Sequence, residues 1–212
     1  MRRRQNTEEK ILTKAVNLIY RDGFFKASIR DIAKAVGISN ATIYLYFKKK
    51  DDLLFRIIDD VGEDLLQALR EVIGRHDDPV ESLRRMIVKQ IYFCLPSNAR
   101  ISYKRMKIYL EEQYQLPPHL KRKAYKKHRE IYDLYYEKVC DIEKAGKLRG
   151  INKTVLTFNI FASMNWLYRW FDTKGPLSIE EVTEEMIQFL FSAILRTNEN
   201  GGQGNMGMKS KC

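Results

Sequence analysis

The residues best suited to chemistry in this chain sit together in one short stretch, Ser39 to Lys50, which reads SNATIYLYFKKK. Asn40 carries a carboxamide, a donor–acceptor pair that matches the edge of a base. Ala41 and Leu45 offer the methyl groups that touch thymine. Thr42, Tyr46 and Lys50 suit phosphate oxygens, which position a protein on a duplex without reading its sequence. Tyr44 and Lys48 flank the same face at helical spacing. Catalysis has no comparable cluster. His76, His119 and His128 are the only histidines, and none stands in a zinc motif or beside a nucleophile signature. No glycine-rich phosphate loop is present, so neither an enzyme nor a bound cofactor is expected.

Positioning those side chains requires helices. The first is expected from Thr7 to Arg21, with Ile11, Leu12, Ala15, Val16, Leu18 and Ile19 as its apolar stripe. Ser28 and Asp31 form a capping-box pattern that starts a second, short helix with Ile29, Ile32, Ala33 and Val36 inward. Gly37 breaks it. Ser39 can cap a third helix over 40–47, in which Ile43 and Phe47 share the inward face and Ala41, Leu45 and Lys48 point outward. Two short helices meeting at a glycine form a helix-turn-helix, whose second helix enters the major groove. Tyr46 lies near the inward face, so packing against helices one and four competes with a DNA contact there.

From Gly23 to Leu54 the sequence GFFKASIRDIAKAVGISNATIYLYFKKKDDLL resembles the DNA-binding domain of the TetR family of bacterial repressors. The resemblance rests on the Gly-aromatic pair, the Ser cap, Gly-Ile-Ser at the turn, Ala-Thr-Ile-Tyr, and the Lys run before Asp-Asp-Leu. It implies an all-α chain with an N-terminal three-helix DNA-binding domain carrying the helix-turn-helix (residues 1–50). A C-terminal helical ligand-binding and dimerisation domain (51–197) completes it, and the Gly-rich, polar composition of 198–212 predicts a disordered tail. It also implies a homodimer on a palindromic double-stranded operator, and a small-molecule effector. Arg30 matches a position that contacts bases in some members, and Ser39 joins the expected DNA-binding set.

The second half divides at proline and glycine into candidate helices over about 79–95, 98–114, 118–146, 152–173 and 178–197. Its aromatic residues recur at helical spacing, and the usual meaning of that is core. Their number, and the polar atoms among them, suit a cavity instead. The expected lining is Tyr92, Met106, Tyr109, Tyr132, Phe161, Asn165, Trp166 and Arg169; Arg169 can equally pair with Asp172. The stretch SMNWLYRWFDTKGPLSIEEV, Ser163 to Val182, is similar to the same part of TetR-family regulators of fatty-acid or sterol-side-chain catabolism. Several of these respond to acyl-CoA thioesters. Ten cations against two acids between Arg100 and Arg129 make Lys121, Arg122, Lys126 and Lys127 candidates for CoA phosphates, although a solvated helix face explains such a run equally well. Phe189, Leu190, Ala193 and Ile194 give the last helix an apolar face for a symmetry mate or for the core.

Charge is distributed in keeping with DNA binding. Of a net charge of +11, residues 1–50 carry +8, from 12 Lys and Arg against 4 Asp and Glu. Arg2-Arg3-Arg4 could form a minor-groove arm. Cys94, Cys140 and Cys212 are far apart and odd in number, which suggests reduced thiols in a cytoplasmic protein. The weakly charged run 154–168 is too short for a bilayer span, and no apolar stretch follows the first arginines, so no membrane association is expected. Two rival readings remain: a ligand-free nucleoid protein, and a TetR-type regulator sensing a cationic or aromatic drug-like compound, which would want carboxylates in its cavity.

Overall fold

The computed structural model describes residues 2–74, 78–95 and 100–196. His76, Pro96, Cys212 and the tail 198–212 lie outside the described residues, as do the side chains of Arg2, Arg3 and Arg100. The described residues are all-helical apart from turns and one isolated bridge between Leu148 and Leu195.

Helix α1 (Arg2–Asp22) buries Ile11, Ala15, Val16 and Ile19 at the expected spacing. It starts earlier than Thr7, so the backbone of the arginine run is helix rather than an extended arm. The capping box of Ser28 and Asp31 opens α2 (Ile29–Val36), with the Ser28 hydroxyl accepting from the Asp31 amide at 3.1 Å. Gly37 closes it at φ 79°, where a side chain is strained, and its amide donates to the Ala33 carbonyl at 2.9 Å. Helix α3 (Asn40–Tyr44) is shorter than the sequence suggests. The turn that follows still bonds the Phe47 amide to the Ile43 carbonyl at 3.0 Å, so Phe47 stays on the inward face.

Helix α4 (Lys50–Val72) is the spine. Leu53, Leu54, Ile57 and Ile58 near its start are buried, and Leu65, Leu66 and Leu69 bury the other end. Around it pack α5 (Pro79–Cys94), α6 (Arg100–Glu111) and α7 (Pro118–Lys144). Gly62 permits the α4–α7 contact, because a Cβ there would meet the Lys127 Cγ at 2.6 Å. The segment expected as one helix over 152–173 is two, α8 (Lys153–Asn165) and α9 (Leu167–Trp170), separated at Trp166. Helix α10 (Ile179–Ile194) opens on a second capping box, Ser178 with Glu181. Leu190, Phe191 and Ile194 turn into the core while Phe189 stands 70% exposed, so the apolar face of α10 serves core and surface at once.

Helix α6 joins the two functional parts. It packs on α1 through Tyr103, edge-on to Tyr20, and through Lys104, which donates to the Asn17 side chain at 2.5 Å. Just past its end, Glu112 accepts from the Phe24 amide at 3.1 Å, in the turn that leads into α2.

Candidate functional site

At the helix-turn-helix, Ile43 is fully buried and Phe47 nearly so, which fixes the rotation of α3. Asn40, Ala41, Tyr44 and Leu45 therefore face outward, with Leu45 74% exposed. Ser39 is the N-cap: its hydroxyl accepts from the Thr42 amide at 3.1 Å and pairs with the Thr42 hydroxyl at 2.9 Å. Arg30 on α2 and Lys48 after α3 are exposed on the same unit. Tyr46 is half-buried, with the Arg4 guanidinium 5.7 Å from its ring centre, a contact that sequence spacing does not reveal.

Lys50 departs from expectation. Its ammonium donates to the carbonyls of Phe24 and Phe25, the latter at 3.3 Å, and lies 4.2 Å from the centre of the Phe24 ring. Burial lowers its pKa. In this conformation Lys50 ties α4 to the turn after α1, and reaching a phosphate would mean exchanging those bonds. The apolar Phe24 ring and the fold of the turn, neither visible in a lysine run, account for the difference.

In the larger half, a cavity of about 340 Å³ lies among α4, α5, α6, α7 and α8. Met106, Tyr109, Tyr132, Phe161 and Asn165 line it as expected, together with Leu65, Gln90, Leu110, Gln113, Tyr114, Tyr125, His128, Ile131 and Phe158. Tyr114, Tyr125 and Phe158 are more than 45% exposed, so they mark its mouth. No lysine, arginine, aspartate or glutamate belongs to the lining. His128 is the one basic side chain in it, and burial pushes its pKa down to about 4, so it is neutral near pH 7. Its Nε2 is buried and unpartnered among the described residues. At the floor, the buried Tyr135 hydroxyl donates to Gln90 Oε1 at 3.0 Å, and Gln90 Nε2 donates to Asn165 Oδ1 at 3.2 Å.

Three expected cavity residues lie elsewhere. Tyr92 faces a groove between α5 and α10, where its hydroxyl donates to Glu180 at 3.5 Å. Trp166 is 59% exposed, because the chain breaks between α8 and α9 at that residue and turns its ring outward. Arg169 packs over Trp166 at 5.2 Å and pairs with Glu111 at 3.4 Å, rather than with Asp172 or a cavity wall. Among the cations proposed for phosphate, Lys121 stands by the mouth, 6.0 Å from the Tyr114 ring centre. Lys127 points the other way and is paired with Glu63 on α4. Arg122 and Lys126 are exposed and do not line the cavity. Arg129, at the end of the basic stretch, sits 5.1 Å over the lining residue Tyr132 and is paired with Asp133 at 2.8 Å. Of the polar floor, Asn165 was named from the sequence, while Gln90 and Tyr135 were not.

Among the described residues, no helix is long and apolar enough to cross a membrane, and no group of three or more His, Cys, Asp and Glu could hold a metal.

A three-helix unit presenting α3, joined to a helical body with a cavity, defines a ligand-binding DNA-reading protein. Residues 11–57 match the family described as bacterial regulatory proteins, tetR family, and residues 76–194 match the tetracyclin repressor-like C-terminal domain. The chain belongs to the TetR family and is a DNA-binding transcriptional repressor of that type, a class of regulators and not of enzymes. The HTH-type transcriptional repressor KstR2 of Mycolicibacterium smegmatis is 22% identical over 195 residues, which cover 89% of this chain and 91% of that one. The fatty acid metabolism regulator protein of Bacillus subtilis is 29% identical over 89 residues, 42% of this chain and 46% of that one. The solved structure of AibR in complex with isovaleryl coenzyme A and operator DNA superposes with a TM-score of 0.80 at 24% identity, covering 87% of this chain and 98% of that one.

Proposed function

We propose that the chain represses transcription as a homodimer on a palindromic operator and is released by an acyl-CoA. The operator is read by Asn40, Ala41, Tyr44 and Leu45, with Arg30, Thr42, Tyr46 and Lys48 beside them. The N-terminal unit is residues 1–50 and the effector and dimer part is 51–197. The fixed rotation of α3 and the excess positive charge of the first quarter support the first assignment. Exposed Val155 on α8 and Phe189 on α10 support pairing with a second copy.

The observation that carries the effector class is the character of the cavity. It is aromatic and aliphatic, neutral throughout its lining, and has Lys121 by Tyr114 and Arg129 over Tyr132, both from α7, as the cations at its lips. An acyl chain fits the interior, and the CoA phosphates fit the lips. A cationic compound lacks the buried carboxylate it would need, and a free fatty acid lacks a buried cation. The AibR structure solved with isovaleryl coenzyme A and operator DNA agrees with this ligand class. Release follows only if the effector binds the DNA-free conformation more tightly than the DNA-bound one. Helix α6 supplies Met106, Tyr109 and Leu110 to the cavity and packs on α1, and Glu112 follows it onto Phe24, so a shift of α6 would move the helix-turn-helix units relative to the half-site spacing of about 34–36 Å.

The test is operator binding titrated with acyl-CoAs of 4 to about 16 carbons, CoA alone, and free fatty acids. Release by acyl-CoAs and not by CoA or the acids is expected; no release by any acyl-CoA sinks the effector class. Lys121→Glu with Arg129→Glu should weaken the response to acyl-CoA by roughly tenfold.

A further inference from the structure

The floor of the cavity carries a directional chain of three polar side chains from three helices. Tyr135 on α7 is fully buried, and its hydroxyl lies 3.0 Å from Gln90 Oε1 and 3.1 Å from the Met86 carbonyl. The Gln90 oxygen is the nearer of the two acceptors, while the Met86 carbonyl, which already accepts the helical amide of Gln90, keeps a second lone pair toward the same hydroxyl. Gln90, 1% exposed, then passes its own amide hydrogen to Asn165 Oδ1 on α8 at 3.2 Å. The chain ends on Asn165 Nδ2, which has two hydrogens and no acceptor within reach among the described residues, at a position that lines the cavity. A buried polar network is stable only when each member is satisfied. Facing the cavity, the Asn165 amide is open to water, and an acceptor on a ligand can take that water's place.

We infer that Tyr135, Gln90 and Asn165 form a reader for an uncharged carbonyl oxygen, so that the cavity selects ligands by a carbonyl held at the Asn165 amide as well as by their apolar chain. The inference rests on the cavity being the effector site, and it does not require CoA. Charge decides against a carboxylate as the acceptor. No lysine or arginine lines the cavity and burial holds His128 neutral, so a carboxylate taken out of water there has to draw a proton onto His128 or keep most of its desolvation penalty. A thioester, ester or ketone has the same acceptor geometry without that penalty. Tyr135 and Gln90 are positioning residues, since they fix which atom Asn165 presents, and Asn165 alone touches the ligand.

The experiment uses the full chain and matched probes, read by calorimetry. For chain lengths of 4 to about 12 carbons, acyl-CoAs are compared with S-alkyl-CoA thioethers, which lack only the carbonyl oxygen, and methyl alkanoates with the matching alkyl methyl ethers. The thioester should bind roughly ten- to a hundredfold more tightly than its thioether, as for a hydrogen bond to a buried donor. Equal binding of thioester and thioether overturns the inference while leaving the acyl-CoA reading standing. If the methyl ester outbinds its ether while no CoA compound binds, the carbonyl reader holds and the acyl-CoA reading fails. A preference for alkanols over both esters and ethers means the chain of hydrogen bonds runs the other way, and also overturns the inference. Asn165→Asp keeps the oxygen that Gln90 needs and removes the terminal donor; it should abolish the carbonyl preference, with the circular-dichroism melt reporting that the fold is intact. Gln90→Glu should reduce the preference without removing binding of the thioether, which a merely structural role would lower equally for both probes.

Discussion

Tyrosine, leucine and asparagine occur at both functional ends of this molecule and are used in opposite ways. On α3, Tyr44 and Leu45 are 51% and 74% exposed, and beside them Asn40 also faces solvent. In the cavity, Tyr135 and Leu65 are buried, and Asn165 is bonded to Gln90 across two helices. The first surface has its side chains in solvent, which fits the proposed contact with a duplex, and those residues contribute little to folding. The second is part of the core, so changes there alter stability and, on the proposed reading, ligand choice together. A site built on a short capped helix can vary its outward residues freely, whereas a site inside a helical bundle varies only within what packing allows.

The largest effect should come from the residue that keeps the two uses apart. Ile43→Ala empties a fully buried position beneath α3 and should cost about 2–5 kcal/mol of stability, measured by urea unfolding. A loss below about 0.5 kcal/mol would mean that α3 is not held by the core. Next, Tyr135→Phe leaves the buried Gln90 oxygen without its donor and should cost about 1–3 kcal/mol, while operator affinity per folded molecule changes little.

His128 sharpens the comparison through pH. Its folded pKa, about 4, lies below the ordinary histidine value, so the unfolded chain takes up a proton before the folded one does. The stability it contributes is therefore full above pH 6.5 and is lost as pH falls toward 4. Between pH 7 and pH 5 this amounts to about 1–2 kcal/mol after allowing for its partial exposure. Unfolding midpoints of the wild type and His128→Gln at both pH values check it. The variant should lose that slope; an unchanged slope would place the effect on other groups. At the DNA surface, Leu45→Ala should change stability by less than about 0.5 kcal/mol. In operator-binding assays it should still lower affinity, and a stability loss as large as that of Ile43→Ala would erase the contrast.

Much of this architecture was legible before any coordinates. The capping boxes at Ser28 and Ser178, the left-handed Gly37 and the inward pair Ile43 and Phe47 are local features, set by residues within a turn or two of one another. Helix ends and the face of α3 follow from them, and so does the family, whose pattern lies in one continuous stretch of 50 or so residues. Tertiary structure decided what depends on residues far apart. Lys50 met the Phe24 and Phe25 carbonyls 25 residues or more away, and Lys127 met Glu63 across the close approach at Gly62. The aromatic stripes implied a cavity, but its walls were settled by which face of each helix met which neighbour. Tyr92 and Trp166 were thereby turned outward, and Gln90, His128 and Tyr114 were brought in. Periodicity records the face of one helix, while a binding site is the intersection of several, and the rotation that brings those faces together is fixed only by packing.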